Sequence, residues 1–170
     1  MAMQPSTPRK KQHVEKVITV PGNLKRGCDD FNEGRFFESH EHFEEIWQYE
    51  RGPVRDLYKG LIQIAAGFVH LSRGNRHGSE RLLRTALGYL APYRERGALG
   101  FDVEAIATAA EDVYRRIAVA GQDNVRSIDL SRRPVFAFDE GRLAAEARRW
   151  RAWGFDEQGI AEPQTIVIAE

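Results

Sequence analysis

From Leu24 onward, apolar residues recur at the three- and four-residue spacing of a helix, and glycine and proline punctuate the pattern. A short helix is expected over Leu24–Asn32, stopped near Gly34. A second runs from Arg35 to about Tyr49 and ends at Gly52-Pro53. Pro53 suits the first turn of a third helix, because its missing N–H is one of the donors a helix start leaves unpaired anyway. That helix reaches Arg73, where Gly74 supplies a left-handed stop. Leu82, Leu83, Ala86, Leu87 and Leu90 mark a fourth, with Asn75 as its N-cap and Pro92 and Gly97 at its end. Asp102 caps a fifth, whose inner stripe is Val103, Ile106, Ala107, Ala110, Val113, Tyr114 and Ile117.

Short connections favour antiparallel neighbours. The expected fold is therefore all-α: a compact antiparallel bundle of about five helices. Residues 1–22 are expected to be a flexible N-terminal segment, 23–120 the bundle, and 121–170 an appendage packing on the bundle or on a second subunit. Within the appendage, Ser131–Phe138 reads as extended and Asp139–Trp153 as helical. The terminal TIVIA run has β-type residues but no evident partner.

Two helices carry polar residues where burial is expected. At about 100° per residue, with Glu38 at zero, Ile46, Phe43, Phe36, Trp47 and Phe37 fall at about 80, 140, 160, 180 and 260°. His40 at about 200° and Glu44 at about 240° lie inside this arc, Glu41 at its edge, and Glu38, Glu45 and His42 outside it. The third helix is apolar around most of its circumference from Leu61 to Leu71, as befits a central helix. Gln63 and His70 interrupt that run and share a face. Gly60 and Gly67 permit close approach of a neighbouring backbone.

Buried polar groups without partners cost about 1–3 kcal/mol each, so these residues are expected to satisfy one another. A carboxylate beside imidazoles is also a common preparation for acid/base or ligand chemistry. Glu41, Glu44 and His70 are the candidate catalytic groups. Trp47, Arg55, Gln63, Arg73 and Asn75 are candidate ligand contacts, and His40, Glu44 and His70 are candidate ligands for a divalent metal. The H-E-H-F-E run at 40–44 has the first half of a zinc-peptidase motif but Glu in place of the second His, so it does not specify a peptidase. The same residues equally describe a network that fixes the register of a helical hairpin.

Composition narrows the classes. The chain has 170 residues, with 25 Lys plus Arg against 25 Asp plus Glu, and it is 42% hydrophobic. Zero net charge argues against bulk binding to nucleic acid or an anionic membrane. The cancellation is local, however. Residues 29–50 hold eight acids against Arg35, and residues 51–99 hold nine bases against Asp56, Glu80 and Glu95. Cys28 is the one cysteine, the first sixteen residues lack the apolar core of a signal peptide, and Leu61–Leu71 falls short of the roughly 20 residues of a membrane span. A cytoplasmic protein is expected. Cys28 lacks the electropositive surroundings of a reactive thiol.

The segment FNEGRFFESHEHFEEIWQYERGPVRDLYKGLIQIAAGFVHLSRGNRHGSERLL, residues 31–83, resembles the prokaryotic domain of unknown function 309 family. The resemblance rests on an F-x-x-G-x-[FY]-[FY]-E-x-H-E-x-x-E-x-x-W helix, then G-P-x-R, then a Q-G-L-I-Q-x-A helix with a His near its end, then R-G-N. Gly34, Glu38, His40, Glu41, Glu44, Trp47, Arg55, Gly60, Gln63, His70 and Asn75 occupy those positions. Lys59 stands where the family often has Gln. The resemblance implies an all-helical fold in a bacterial or archaeal cytoplasm, with no assigned activity. It also strengthens the pocket reading, because the signature falls on the polar residues singled out by helical geometry.

Two functions stay open. One is a small-molecule or metal-binding protein, which as an enzyme would be a hydrolase with Glu44 or Glu41 as base. The other is a non-catalytic interaction module in which these residues form a structural network and whose acidic and basic blocks dock a charged partner; self-association through the C-terminal appendage, giving a homo-oligomer, is compatible with either.

Overall fold

The computed structural model describes residues 16–143, 146 and 163–168. Its long elements are helices α1 (Gly22–Asn32), α2 (Phe36–Tyr49), α3 (Arg55–Ser72), α4 (Arg76–Leu90) and α5 (Val103–Asn124). The fold class is all-α, as the periodicity predicts.

Local chemistry explains the boundaries. Gly74 turns the chain at φ 72°, and Asn75 N–H donates back to His70 O at 2.9 Å to close α3. Asn75 and Asp102 cap α4 and α5, accepting from Gly78 N at 2.9 Å and Ala105 N at 3.0 Å. The start of α3 departs from expectation by two residues. Glu50 Oε1 accepts from Gly52 N at 2.7 Å and Gly52 O from Arg55 N at 3.2 Å, so a side-chain-closed turn holds Pro53 just outside the helix. Gly121, at φ 68°, breaks the helical geometry near the end of α5.

Helix α3 occupies the centre, packed against both α2 and α4, while α1 lies on α2 and α5 on α4. Leu57, Tyr58, Leu61, Ile62, Ile64, Ala65, Phe68 and Leu71 are buried around it, which accounts for its apolar circumference. Gly60 and Gly67 face α4. A Cβ on Gly60 would meet Leu90 Cδ2 at 2.6 Å, and one on Gly67 would meet Leu83 Cγ at 3.3 Å. At the other interface, buried Ser39 donates to Gly27 O at 2.7 Å, and a Cβ on Gly27 would lie 2.8 Å from Phe43.

The chain after α5 returns to the bundle. Phe136, 1% exposed, stacks on Phe31 at 3.9 Å between ring centroids and 11° between planes, within a cluster that includes Phe36, Phe43 and Phe68. A further helical turn opens at Glu140, where Asp139 Oδ1 accepts from Arg142 N at 2.8 Å. Strands β1 (Lys16–Pro21) and β2 (Pro163–Ile168) pair antiparallel, with Val17 opposite Val167 and Thr19 opposite Thr165. The terminal β-type run thus has a partner, drawn from a stretch expected to be flexible; both strands are rich in β-branched residues, which suit a pleated ribbon. The expected helix beyond residue 146 lies outside the described residues. No helix among the described residues is long and apolar enough to cross a membrane.

Candidate functional site

The side of α2 that enters the core is narrower than its apolar pattern suggests. Ile46, Ser39, Glu50, Phe43 and Phe36 are buried, an arc of about 80 to 160° on the scale that puts Glu38 at zero. Phe37 is 49% exposed and Trp47 is half-buried, so the two aromatics that widened the predicted arc lie at or beyond its margin. The expectation of burial is corrected accordingly for the polar pair. His40 keeps 26% of its side chain exposed and Glu44 keeps 40%. They sit at the rim of the α2–α3 seam.

That rim is a cleft of about 180 Å³ lined by Phe37 and His40 from α2 and by Ala66, Val69, His70 and Arg73 from α3 and its end. His40 Nε2 lies 3.5 Å from Glu44 Oε2, and its Nδ1 is buried with no hydrogen-bond partner. His70 is fixed more tightly. Asn75 Oδ1 is committed to Gly78 N, which leaves Nδ2 facing His70 Nδ1 at 2.9 Å. Nδ2 can only donate, so Nδ1 accepts and the ring proton of neutral His70 resides on Nε2. Gly78 makes this approach possible, because a Cβ there would sit 2.8 Å from Asn75 Nδ2 and 2.9 Å from His70 Nδ1. Just beyond the cleft, Arg126 Nη2 donates to Arg73 O at 3.0 Å and Gln122 Nε2 to Gly74 O at 3.3 Å, securing the α3–α4 turn.

Thus His40, His70 and Arg73 converge on one cleft. Asn75 stands behind His70 and Glu44 beside His40, neither of them in the lining. Gln63 is half-buried, and its Oε1 is buried without a hydrogen-bond partner. Glu41 is exposed on the outer side of α2. Trp47 and Arg55 form a different contact. The Arg55 guanidinium lies 4.1 Å and Lys59 Nζ 4.3 Å from the Trp47 ring, and Arg55 Nη1 donates at 2.6 Å to the carbonyls of Trp47 and Glu50, capping the end of α2. The metal set His40, Glu44 and His70 does not assemble. Among the described residues no group of three or more His, Cys, Asp or Glu is placed to hold a metal ion. The physical reason is that His70 turns Nδ1 to Asn75, while Glu44 lies outside the lining they would have to share.

One polar cluster of the first two helices is structural. Asp30, nearly buried, accepts from Arg35 Nε at 2.8 Å and lies 3.1 Å from His42 Nε2. Burial pushes the Cys28 thiol far above its usual range, so it is an inert core group. Sequence reasoning missed Phe37, Ala66 and Val69 as cleft walls and Gly78 as the spacer. The signal for Phe37 was its position at the far edge of the apolar arc, beyond His40.

The family model described as Domain of unknown function (DUF309) matches residues 24–82, which include all six cleft-lining residues. An uncharacterized protein of Aquifex aeolicus is similar, 27% identical over 82 residues, which are 46% of this chain and 25% of that protein. The chain thus spans about a quarter of the length of the curated relative it matches. No solved structure matches.

Proposed function

We propose, for a chain whose residues 24–82 match a domain family without an assigned activity, that the α2–α3 cleft binds a small organic anion. The observation that carries this reading is the composition of the lining: two imidazoles and a guanidinium on an otherwise apolar wall, with no carboxylate among them. Phe37, Ala66 and Val69 take the ligand's apolar body. His70 presents its Nε2–H, and Arg73, which pairs with no carboxylate among the described residues, supplies the formal charge. Glu44 orients His40 from outside the lining. At about 180 Å³ the cleft is smaller than the roughly 300 Å³ at which drug-sized sites begin, so the ligand is of the size of a single ring bearing an acid group.

The test is titration with benzoate, followed by the imidazole resonances of His40 and His70, with benzamide as the neutral isostere. Both imidazoles should shift saturably with benzoate, more weakly with benzamide, and not at all in Arg73→Ala. Unchanged resonances, or equal responses to the two compounds, overturn the reading.

A further inference from the structure

The opposed charge blocks of the sequence become two matched stripes on the surface. On α2, Glu38, Glu41, Glu45 and Tyr49 are all exposed and fall within about 80° of one helical face. On α4, His77, Arg81, Arg84 and Gly88 are all exposed and fall within about 60°. Each stripe covers the same run of helix, about 16 Å. The acidic one is distinct from the cleft, since His40 and Glu44 lie about a third of a turn away from its centre.

Among the described residues, neither stripe is consumed by ion pairs inside the molecule. Among the described residues, Arg81 and Arg84 pair with no carboxylate, and the nearby Glu80 is tied to Arg76 at 3.1 Å. Glu45 accepts from the Asn23 side chain, a neutral donor. Helices α2 and α4 both pack on α3, and the short connections make α3 antiparallel to each, so within one molecule the two stripes point the same way along the bundle.

We propose that these stripes are the interface for a second copy of this chain, α2 of one lying parallel to α4 of the other. In that register Glu38 meets His77, Glu41 meets Arg81 and Glu45 meets Arg84, with no pair out of step by more than one residue, about 1.5 Å. Tyr49 then falls over Gly88. The tyrosine is 45% exposed, one of four large apolar residues left exposed among the described residues, and no atom lies within 4 Å of the position a Gly88 Cβ would take. The fourth position of each stripe therefore provides a ring on one side and room for it on the other. A second copy carries both complements at the right length, which an unrelated acidic or basic partner does not. Contacts of this kind steer and orient association more than they strengthen it, so the complex is weak and salt-sensitive.

Analytical ultracentrifugation across protein concentration, at low and at high salt, tests the proposal. The wild type should self-associate at low salt and dissociate at high salt. Glu41→Lys and Arg81→Glu should each weaken association about tenfold. The double variant Glu41→Lys/Arg81→Glu should recover it, because the reversed charges meet between copies. Gly88→Phe should weaken association without altering the salt dependence. All of these positions are exposed, and an unchanged far-ultraviolet spectrum and a cooperative urea transition at high salt verify the fold. A wild type that stays monomeric at low salt overturns the proposal, as does a double variant no better than either single one. So does a monomer whose Arg81-dependent retention on heparin shows the basic stripe to serve a polyanion.

Discussion

Asn32 and Phe136, 104 positions apart, hydrogen-bond in both directions: Asn32 Nδ2 donates to Phe136 O at 2.7 Å, and Phe136 N donates to Asn32 Oδ1 at 2.8 Å. An asparagine amide can satisfy one residue's whole backbone in this way, and here it does so for a segment outside any helix or sheet ladder. The clasp holds the Phe136 ring against Phe31, and Arg133 reinforces it by donating from Nη2 to Asn32 O at 2.5 Å.

Phe136→Ala should therefore destabilise the domain by about 3–5 kcal/mol, as expected for truncating a fully buried phenylalanine. Asn32→Ala should cost about 1–3 kcal/mol through the orphaned Phe136 backbone groups. Urea unfolding of both single variants and the double variant tests the coupling. The two costs should fall short of additivity, since removal of either residue loosens the same segment; full additivity would mean that the clasp does not position the ring.

The tautomer of His70 gives a second prediction. Asn75→Asp keeps an oxygen for Gly78 N, and aspartate is as good an N-cap as asparagine, so α4 should lose little stability. The replaced Nδ2, however, was the donor to His70 Nδ1. A carboxylate oxygen in its place accepts, which draws the ring proton onto Nδ1 and removes it from Nε2. Nitrogen-15 shifts of the imidazole should report this exchange of tautomers, accompanied by weaker benzoate binding. An Nε2-protonated ring in the variant would show that Asn75 does not set the tautomer.

What could be read from the sequence was the chemistry confined to a few neighbouring residues. Gly74 as a left-handed stop and Asn75 and Asp102 as N-caps follow from backbone geometry and side-chain reach within one turn, and all three are observed. The central place of α3 was legible because a helix that is apolar all round has no solvent side. The inner arc of α2 was not. Phe37 is apolar yet half exposed, and Ser39 is polar yet fully buried, because Gly27 on α1 brings a carbonyl within its reach. Burial at such positions depends on the partner helix, which periodicity along a single helix does not contain. The cleft itself required knowing that Ala66 and Val69 stand opposite Phe37. The β1–β2 ribbon joins segments separated by most of the chain, and nothing local to either names the other.

Two helical glycines should respond in opposite directions. At Gly27 a methyl group would lie 2.8 Å from the buried Phe43 ring, so Gly27→Ala should cost about 1–3 kcal/mol as α1 and α2 are forced apart. At Gly88 the same methyl meets no atom within 4 Å, and alanine's better helix propensity should raise stability by about 0.5–1 kcal/mol. Thermal unfolding in high salt, where association does not contribute, compares the two. A stabilised Gly27→Ala would show that the α1–α2 contact yields easily and that Gly27 is not a packing requirement.

Acid should weaken the link between the α4 end and α5. Arg94 Nε and Nη2 donate to the two Glu104 carboxylate oxygens at 2.6 and 2.9 Å, and Nη1 donates to Glu111. These bonds hold the Glu104 carboxyl below its usual range, mainly through the Arg94 side chain. A carboxyl whose folded value is depressed contributes stability that is fully present above its unfolded value and is lost as pH falls through the folded one. The window therefore opens below about pH 4.5 and extends downward, leaving neutral pH unaffected. Glu104 is exposed and Arg94 only half-buried, so the effect is small and screened by salt. Glu104→Gln should flatten this part of the profile of unfolding midpoint against pH at low salt, converging with the wild type at the acid end. A variant whose acid limb keeps the full wild-type slope would place the pH dependence in other carboxylates, with Glu111 on the same guanidinium the next to examine.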